Sequence, residues 1–431
     1  MVVTAVLWLG GTVDAGRLRQ HLGERLVAPH PRFRSVVRSR RLPLVPPVWQ
    51  PDPAFDLARH LIHVDLEEHD AGEAALERLV GELLERPLDP AVAAPWQLVL
   101  VDGHRPTPDA APRSVIVGRL HHALADGAAL VRLLLDLADA PDVEAAAAPT
   151  APVRAGRGGG WRSSTGWLAT KLAIAVPVTT ARLLLMPPEP RTPLRGRLGT
   201  RKDAAWSAPR PLAQVKAAAA RLDVTVNDVL LAAVAGGLRR HLDRVGAGRL
   251  PRHLRVYVPV DLSGGDSRLH RRLGNRFGLL PLRLPVAEPD PAARVRAVAA
   301  ATRAAKRSLV PPATFVLIGV LGVVPGLVRR LVVARLGSAA TAIVTNVPGP
   351  REPLTLAGTP IDGIAFWVPQ AAAVGVGVSL FSYAGTVRVG VAADAGLVPD
   401  AQRLADALDD ALEELLRDTP SAGNPRQGQG V

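Results

Sequence analysis

Cysteine is absent from this chain of 431 residues, and aromatic side chains and lysines are scarce. Without cysteine there are no disulfides, no thiolate metal ligands and no cysteine nucleophile, which is compatible with a reducing cytoplasm. Aromatic residues make up 3% of the sequence, and no helix-turn-helix, zinc-finger or RNP pattern is present. Nucleic acid is therefore not an expected partner.

Motifs that would indicate a resident cofactor or a covalent mechanism are also missing. The sequence contains no G-x-x-x-x-G-K-[ST] phosphate loop, and Gly375-x-Gly377 lacks the third glycine of a dinucleotide-binding fingerprint. No G-x-S-x-G elbow supplies a serine nucleophile. We expect neither ATP nor NAD as a cofactor, and no acyl-enzyme intermediate.

A long hydrophobic run that could span a membrane is missing as well. The most apolar segment, Ala313 to Val328, has sixteen residues, short of the ~20 that a spanning helix needs, and three glycines and a proline interrupt it. Two interpretations stay open: a buried helix that lines a tunnel, or an interfacial helix anchored by Arg329, Arg330 and Arg335. Met1 to Leu7 lacks the basic start and cleavage site of a signal peptide, so export is not expected.

The charge of the chain is strongly basic, with 52 basic and 39 acidic side chains and a net charge of +13. Only four of the basic residues are lysines. Because arginine pairs well with phosphate, such a surface is suited to CoA phosphates or anionic lipid headgroups. A compositional bias toward arginine, alanine, glycine and proline explains the charge equally well.

The length and the 48% hydrophobic content predict a globular protein of two to three domains. Strand and helix patterns alternate in both halves, which predicts an α/β (α+β) fold. The helices are predicted over Glu73 to Glu85, over Gly166 to Met186 with an interruption at Pro177, over Leu212 to Arg221, and over Asn227 to Leu242 with Thr225 as its cap, and a hairpin is predicted around Ala384-Gly385. The composition predicts an N-terminal lobe over 1–144, a linker and crossover segment rich in glycine, proline and arginine over 145–204, a C-terminal lobe over 205–418 and a disordered tail over 419–431.

The segment His121-His122-Ala123-Leu124-Ala125-Asp126-Gly127 is the most informative in the chain. It lies between a predicted strand, Ser114 to Leu120, and a predicted helix, Ala128 to Ala140. A neutral imidazole titrates near ~6.5, so one histidine can act as a base at neutral pH. The neighbouring histidine of an extended segment points to the opposite face. Paired structural histidines before a helix are the alternative interpretation.

The HHALADG segment matches the HHxxxDG motif of the CoA-dependent acyltransferase superfamily, which includes chloramphenicol acetyltransferase and peptide-synthetase condensation domains. With this motif come the Thr225-Val226-Asn227-Asp228 segment, Gly274-Asn275-Arg276 and Thr345-Asn346-Val347-Pro348-Gly349-Pro350. Taken together and in this order, these elements resemble the bifunctional wax ester synthase/diacylglycerol acyltransferase family. The resemblance runs from about residue 2 to about residue 415.

This resemblance implies two chloramphenicol-acetyltransferase-like lobes, with mixed sheets flanked by helices and an active-site tunnel between them. It implies that His122 is the general base, that His121 supports it, and that Asp126 holds the site's geometry; we expect Asp126 to pair with an arginine. Acyl-CoA would be a co-substrate rather than a cofactor, and the acceptor would be diacylglycerol or a long-chain fatty alcohol. We expect a cytoplasmic enzyme, with peripheral attachment at the inner face of the plasma membrane or on lipid droplets as an option.

Four further residues are candidate substrate-binding or oxyanion groups: Gly127, Asn227, Asp228 and Asn346. Asn346 lies at a predicted strand end before a rigid Pro-Gly-Pro turn, where its amide can donate to an oxyanion or merely cap the turn. Asn227 and Asp228 carry the same ambiguity, since Asp228 at a helix start is explained by the helix dipole. His60, His63, Asp65 and His69 could be drawn as a metal site, but the family's FDL-x-x-H-x-x-H segment and strand geometry favour a structural role, so no metal is predicted.

Two departures from the family limit what the resemblance implies. Members of the family usually carry an extra segment ahead of the first strand, whereas this sequence begins at that strand, so we expect either a misassigned start or a different entrance to the site. The family's PLW element reads Ala94-Pro95-Trp96. Acceptor and acyl-chain preferences are therefore not transferred. Two alternatives stay open: an HHxxxDG acyltransferase for another alcohol or an amine, and a catalytically silent protein that binds lipid or acyl-CoA.

Overall fold

The computed structural model describes residues 1–38, 45–66, 70–139, 165–263, 273–369 and 374–417, and for 165–173 it describes the backbone only. The strands are β1 (Val2–Leu9), β2 (Ser35–Arg38), β3 (Val48–Pro51), β4 (Leu61–Asp65), β5 (Trp96–His104), β6 (Arg113–His121), β7 (Lys202–Trp206), β8 (Arg210–Pro211), β9 (Leu254–Asp261), β10 (Phe277–Leu284), β11 (Ala342–Pro348), β12 (Thr355–Leu356), β13 (Thr359–Trp367), β14 (Val376–Tyr383) and β15 (Thr386–Asp394). The helices are α1 (Ala15–Leu22), α2 (Glu73–Glu85), α3 (Gly127–Leu137), α4 (Thr165–Leu185), α5 (Leu212–Arg221), α6 (Val226–Arg244), α7 (Pro291–Lys306), α8 (Val310–Leu321), α9 (Gly326–Gly337) and α10 (Ala401–Leu416).

The N-terminal lobe is built on a six-stranded mixed sheet in the order β12-β13-β1-β6-β5-β4. β1 is antiparallel to both of its neighbours, so that Val6 lies opposite Val117 of β6 and Ala365 of β13. Strands β12 and β13 come from the C-terminal half of the chain. The sequence analysis did not predict this crossing, because strand patterns do not show which sheet a strand joins.

The C-terminal lobe is built on a seven-stranded sheet in the order β10-β9-β11-β14-β15-β7, with β8 also paired with β15. β11 runs parallel to both of its neighbours, whereas β14 and β15 form an antiparallel hairpin. The turn of this hairpin is the predicted Ala384-Gly385, and both residues have positive φ, 44° and 79°. Helices α6 and α10 pack together beside the sheet and supply much of the largest buried core.

A smaller core joins the two sheets. Trp206 of β7 packs against Trp8 of β1 and Trp367 of β13, with ring centroids 5.3 and 5.5 Å apart. Leu76 and Val80 of α2 belong to the same cluster. The predicted two-lobed α/β architecture is confirmed. The lobe boundary expected after residue 204 falls within β7, and the boundary at 144 and the tail over 419–431 lie outside the described residues.

Local sequence patterns predicted several elements closely. Helices α2 and α5 have the predicted bounds, and Thr225 caps α6 as expected. The predicted interruption at Pro177 is wrong, because α4 runs through it. A proline removes one backbone donor, which a helix of 21 residues packed against α8 tolerates here.

The apolar segment over 313–328 belongs to two helices, α8 and α9, with a break around Pro325. Its inner residues are buried, but several large side chains of both helices are exposed. The interpretation as a buried helix therefore fails for the outer side of this segment and holds only for its inner residues. In the described part of the chain, no single helix is long and apolar enough to cross a membrane, and α7 and α8 reach that length only as a pair bent by 63°.

Candidate active site

His122 follows the last residue of β6 and is held by Asn275 of the C-terminal lobe. Asn275 Nδ2 donates to the His122 carbonyl oxygen at 2.7 Å, and Asn275 Oδ1 lies 2.9 Å from His122 Nδ1. Because a carbonyl oxygen only accepts, the first contact fixes the orientation of the amide. Oδ1 therefore accepts from Nδ1–H. The unprotonated nitrogen of the neutral ring is Nε2.

Asp126 ties the same two segments together. The buried carboxylate caps α3 by accepting from Ala129 N at 3.0 Å, and its other oxygen accepts from Arg276 N at 2.7 Å. The Asp126 N–H donates to the Gly274 carbonyl at 3.1 Å. The expected ion pair with an arginine is wrong within the described residues, because Arg276 offers its backbone N–H rather than its guanidinium. The predicted role of Asp126 in the geometry of the loop agrees with these contacts.

His121 occupies a different environment from His122. Its Nδ1 accepts from Ala123 N at 3.2 Å, and its Nε2 lies 3.1 Å from the Met1 amine. Burial, followed by the charges of that amine and of His122, lowers the pKa of His121 to about 4. His121 is therefore neutral at physiological pH, and it does not share the contact with Asn275. This difference is compatible with the predicted division into a base and a supporting residue.

Gly127 lies where α3 meets the end of β11. A Cβ at this position would come within 3.1 Å of Val347 Cγ2, tighter than ordinary contact. Val347 belongs to the Asn346-Val347-Pro348-Gly349-Pro350 segment. The small residue at position 127 thus lets two of the sequence motifs pack together.

Asn227, Asp228 and Asn346 form a separate polar group. Asn346 Nδ2 donates to Asn227 Oδ1 at 3.1 Å. Asp228 is buried and completes a capping box with Thr225, and it also accepts from Thr302 Oγ1 at 2.5 Å. In the described part of the chain, no hydrogen bond joins these three side chains to His122. Capping accounts for Asp228.

Asn275 is the site residue that the sequence analysis missed as a functional group. The Gly274-Asn275-Arg276 segment contributed only to the family resemblance, and no function was predicted for Asn275. The only available signal was a polar side chain two residues before a strand, and such residues are common in loops. Its 153-residue separation from His122 gave no local pattern that could reveal the contact.

Two cavities are lined by Asn275, the residue that holds His122. The first, of about 560 Å³, is an apolar cleft along α8, lined by Asn275, Phe277, Phe315, Val316, Ile318, Gly319, Val320 and Val323. The Phe277 ring lies 5.4 Å from the His122 ring, centroid to centroid. The second, of about 600 Å³, shares Asn275 and Phe315 with the first and is also lined by Arg32 and Arg276. One cavity is thus apolar, and the other carries two arginines.

The histidines of the FDL-x-x-H-x-x-H segment lie elsewhere. The buried His60 stacks between Phe55 and Trp96, with Nδ1 2.8 Å from the Trp96 carbonyl, which accounts for it structurally. His63, Asp65 and Asp102 place ligand atoms within 4.8 Å of one another on the surface, where His63 already pairs with Asp102. His69 lies outside the described residues.

Two protein-family models match the chain, one in each half. The model of the wax ester synthase/diacylglycerol acyltransferase catalytic domain matches residues 9–230, and that of the WS/DGAT C-terminal domain matches residues 273–416. The chain belongs to this family. It is an acyltransferase, and the resemblance inferred from the sequence is confirmed.

Relatives of the WS/DGAT family resemble the chain over nearly all of its length. It is 29% identical to a probable diacylglycerol O-acyltransferase, tgs1, of Mycobacterium tuberculosis strain H37Rv, over 94% of this chain and 89% of the relative. A putative diacylglycerol O-acyltransferase of the same strain is 30% identical, over 96% of this chain and 86% of the relative.

Solved structures show the same fold. The WS/DGAT of Marinobacter aquaeolei VT8 superimposes with a TM-score of 0.65 at 21% identity, over 96% of this chain and 94% of that one. The first condensation domain of the CDA synthetase gives a TM-score of 0.62 at 19% identity, over 98% and 92% of the two chains. The two-lobed chloramphenicol-acetyltransferase-like fold is thereby confirmed for this WS/DGAT member.

Proposed function

We propose that this WS/DGAT member transfers a long acyl group from acyl-CoA to the hydroxyl of diacylglycerol or of a long-chain fatty alcohol, with His122 as the general base. The observation that carries this proposal is the double contact between Asn275 and His122. It leaves Nε2 unprotonated, and Asn275 and Phe277, which contact the ring, line an apolar cleft where a hydrocarbon chain ending in a hydroxyl can bind.

The reaction needs one proton relay and no acyl-enzyme. His122 Nε2 takes the proton of the acceptor hydroxyl while the hydroxyl oxygen attacks the thioester carbonyl of acyl-CoA. The tetrahedral intermediate collapses, the carbon–sulfur bond breaks, and the imidazolium returns the proton to the CoA thiolate. Ester and free CoA are the products. We propose no resident cofactor or metal, with acyl-CoA as a co-substrate.

The two cavities suit the two substrates. The apolar cleft offers carbon surfaces to a hydrocarbon chain, and each buried methylene contributes ~0.8 kcal/mol to binding. Arg32 and Arg276 line the adjoining cavity, and Arg32 Nη1 donates to the Leu273 carbonyl at 2.7 Å, which holds its guanidinium there. Arginines bind phosphate well, so we assign this cavity to the phosphate-bearing CoA moiety.

We assign supporting roles to the other motif residues. Asp126 and Gly127 hold the loop, and His121 supports its neighbour. Asn346 donates to Asn227 rather than facing His122, so we propose that this pair braces the end of β11. Asp228 caps α6.

We also propose that the enzyme works in the cytoplasm at an anionic lipid surface, either the inner face of the plasma membrane or a lipid droplet. Its net charge of +13 supports attraction to anionic headgroups. Its proposed acceptors reside in such surfaces because they are insoluble in water.

The test is an assay of the purified protein with one acyl-CoA and a ladder of 1-alkanols, with diacylglycerol as a separate acceptor. Free thiol and lipid product are both measured. We expect kcat/KM to rise with alkanol length until the cleft is filled. His122→Ala should lower the rate by ~10²–10⁴, the usual contribution of a general base, and His121→Ala should lower it less.

Four results would contradict the proposal. Equal kcat/KM for short and long alkanols would remove the hydrocarbon-binding role of the cleft. Activity only on an amine would indicate a different acceptor class. Parent-like turnover of both histidine variants, or binding of acyl-CoA without any turnover by the parent, would exclude the proposed base catalysis.

A further inference from the structure

Exposed apolar side chains are concentrated on three neighbouring helices. Of the sixteen large hydrophobic residues that are exposed in the described part of the chain, ten lie on α4, α8 and α9. We call them the apolar helical face: Ile174, Val178, Leu185, Phe315, Val316, Ile318, Val320, Leu327, Val328 and Leu331. α4 contacts both α8 and α9, and a small core around Leu183, Leu317 and Leu321 holds the layer together. The ten exposed side chains therefore lie on helices that pack against one another.

The charges on this face have one sign. The sequences of α4, α8 and α9 contain no aspartate or glutamate. Arg182, Arg329 and Arg330 are exposed on the same helices. An apolar surface with exposed arginines and no carboxylates complements an anionic lipid surface, where the apolar groups enter the acyl boundary and the arginines meet the headgroups.

The apolar helical face and the cleft share residues. Phe315, Val316, Ile318 and Val320 belong to the exposed face and also line the apolar cleft. The other wall of that cleft includes Phe277 and Asn275, both in contact with His122. The lining of the cleft thus runs from residues that contact His122 to the apolar helical face.

We propose that the apolar helical face docks on an anionic lipid surface and that the lipid acceptor passes from this surface directly into the cleft. This inference rests on the proposed function, because it concerns the path of the acceptor to His122. Transfer through water would expose the acyl chains and cost free energy for every methylene, whereas direct transfer avoids that cost.

The test uses substitutions that touch the face but not the cleft. Leu327 and Leu331 of α9 are 70% and 64% exposed and do not line the cleft. The double variant Leu327→Asp/Leu331→Asp places two carboxylates on one side of α9. The matched control is Val92→Asp, because Val92 is 75% exposed and lies far along the chain from these helices. Thermal unfolding verifies that each variant folds like the parent.

Three measurements are compared. The first is sedimentation with vesicles of phosphatidylcholine alone or mixed with phosphatidylglycerol. The second is acylation of diacylglycerol embedded in those vesicles, and the third is acylation of 1-octanol below its solubility limit. We expect the double variant to lose at least tenfold in vesicle binding and in activity on embedded diacylglycerol, with octanol acylation unchanged. Val92→Asp should match the parent. Arg329→Gln/Arg330→Gln should weaken binding only to the anionic vesicles.

The outcomes separate docking from chemistry. Parent-like vesicle binding by the double variant would overturn the docking surface. If the parent is a dimer and the double variant is a monomer that still binds vesicles like the parent, the face holds two copies of the chain together and the docking surface is overturned as well. Lost vesicle binding with unchanged activity on embedded diacylglycerol would overturn the direct path. If the parent acylates neither octanol nor diacylglycerol, the proposed function fails, while the sedimentation result still decides the docking surface.

Discussion

Asn275 holds His122 at two points, the ring nitrogen Nδ1 and the backbone carbonyl, from the opposite lobe of the protein. A neutral amide thus performs the orienting role that a carboxylate often has beside a catalytic histidine. It selects the tautomer with the proton on Nδ1 without adding a negative charge next to the ring. The C-terminal lobe must therefore be in place for the His122 ring to be oriented.

Substitution of Asn275 tests this orientation. Asn275→Ala should lower kcat by roughly 10–100-fold, the usual cost of losing a residue that orients a functional histidine. Asn275→Asp adds a negative charge that favours the protonated ring, so the acidic limb of the pH–rate profile should move to higher pH. The measurement is kcat/KM from about pH 5 to about pH 9, across the range in which histidine titrates. An alanine variant with the parent's rate and profile would remove Asn275 from the mechanism.

Asp126→Asn should lower both stability and rate. The amide keeps one acceptor for Ala129 N but turns a donor toward Arg276 N, so one hydrogen bond to a charged acceptor is lost. Such bonds contribute ~1.5–3 kcal/mol, and denaturant titration should show a loss of that order. Asp14→Asn is the control, since Asp14 caps α1 on the surface. Full stability with lost activity would show that Asp126 acts on the substrate itself.

Gly319→Leu should shorten the preferred acceptor. Gly319 lines the apolar cleft, and a Cβ at this position meets no atom within 4 Å, so a larger side chain has room to occupy cleft volume. We expect kcat/KM to fall more for long 1-alkanols than for short ones. The free energy of unfolding should rise by about 0.5–1 kcal/mol, because leucine is the better helix former. Gly319→Ala gives the matched small change, and an unaltered chain-length profile for leucine would show that acceptors bind elsewhere.

Glu77 should make the stability depend on pH. Burial, and then the charges of Glu73, Asp400 and Asp406, raise the pKa of Glu77 to about 7 from 4.5. The unfolded chain loses this proton at lower pH than the folded chain, so the folded state is progressively penalised as pH rises from 4.5 to about 7. Glu77→Gln should therefore raise Tm at about pH 8, where the penalty is complete, and change it little at about pH 5.

The control for Glu77 is Glu82→Gln, a change of an exposed glutamate on the same helix. Thermal scans of all three proteins at both pH values provide the comparison. A Tm difference between Glu77→Gln and the parent that is the same at both pH values would exclude this titration as its cause.

The sequence predicted what depends on neighbouring residues. Thr225 three residues before Asp228 predicted the start of α6, and the HHALADG segment was placed correctly between a strand and a helix. Contacts between distant segments were not predictable. Asn275 reaches His122 across 153 positions of the chain. Asp126 accepts a hydrogen bond from the backbone N–H of Arg276, and because every residue except proline has such a donor, the residue type at position 276 could not predict this contact.

The exposure of the outer side of the apolar segment over 313–328 could not be predicted from the sequence either. Its composition allowed either a buried or an interfacial helix, because hydropathy measures the side chains and not the neighbours that cover them. Only the packing of α4, α8 and α9 shows which residues are covered by protein and which are left exposed.

Strand β13 restricts how this protein can be divided or recombined. Because it lies between β1 and β12, a fragment that ends in the segment between α3 and α4 would leave the edge of β1 unpaired. Chimeras that exchange N-terminal halves between relatives should thus fold best when the stretch from Thr355 to Trp367 is exchanged with them. A protease cut between the lobes would leave two pieces held together by a shared sheet, so the nicked protein should separate only under denaturing conditions.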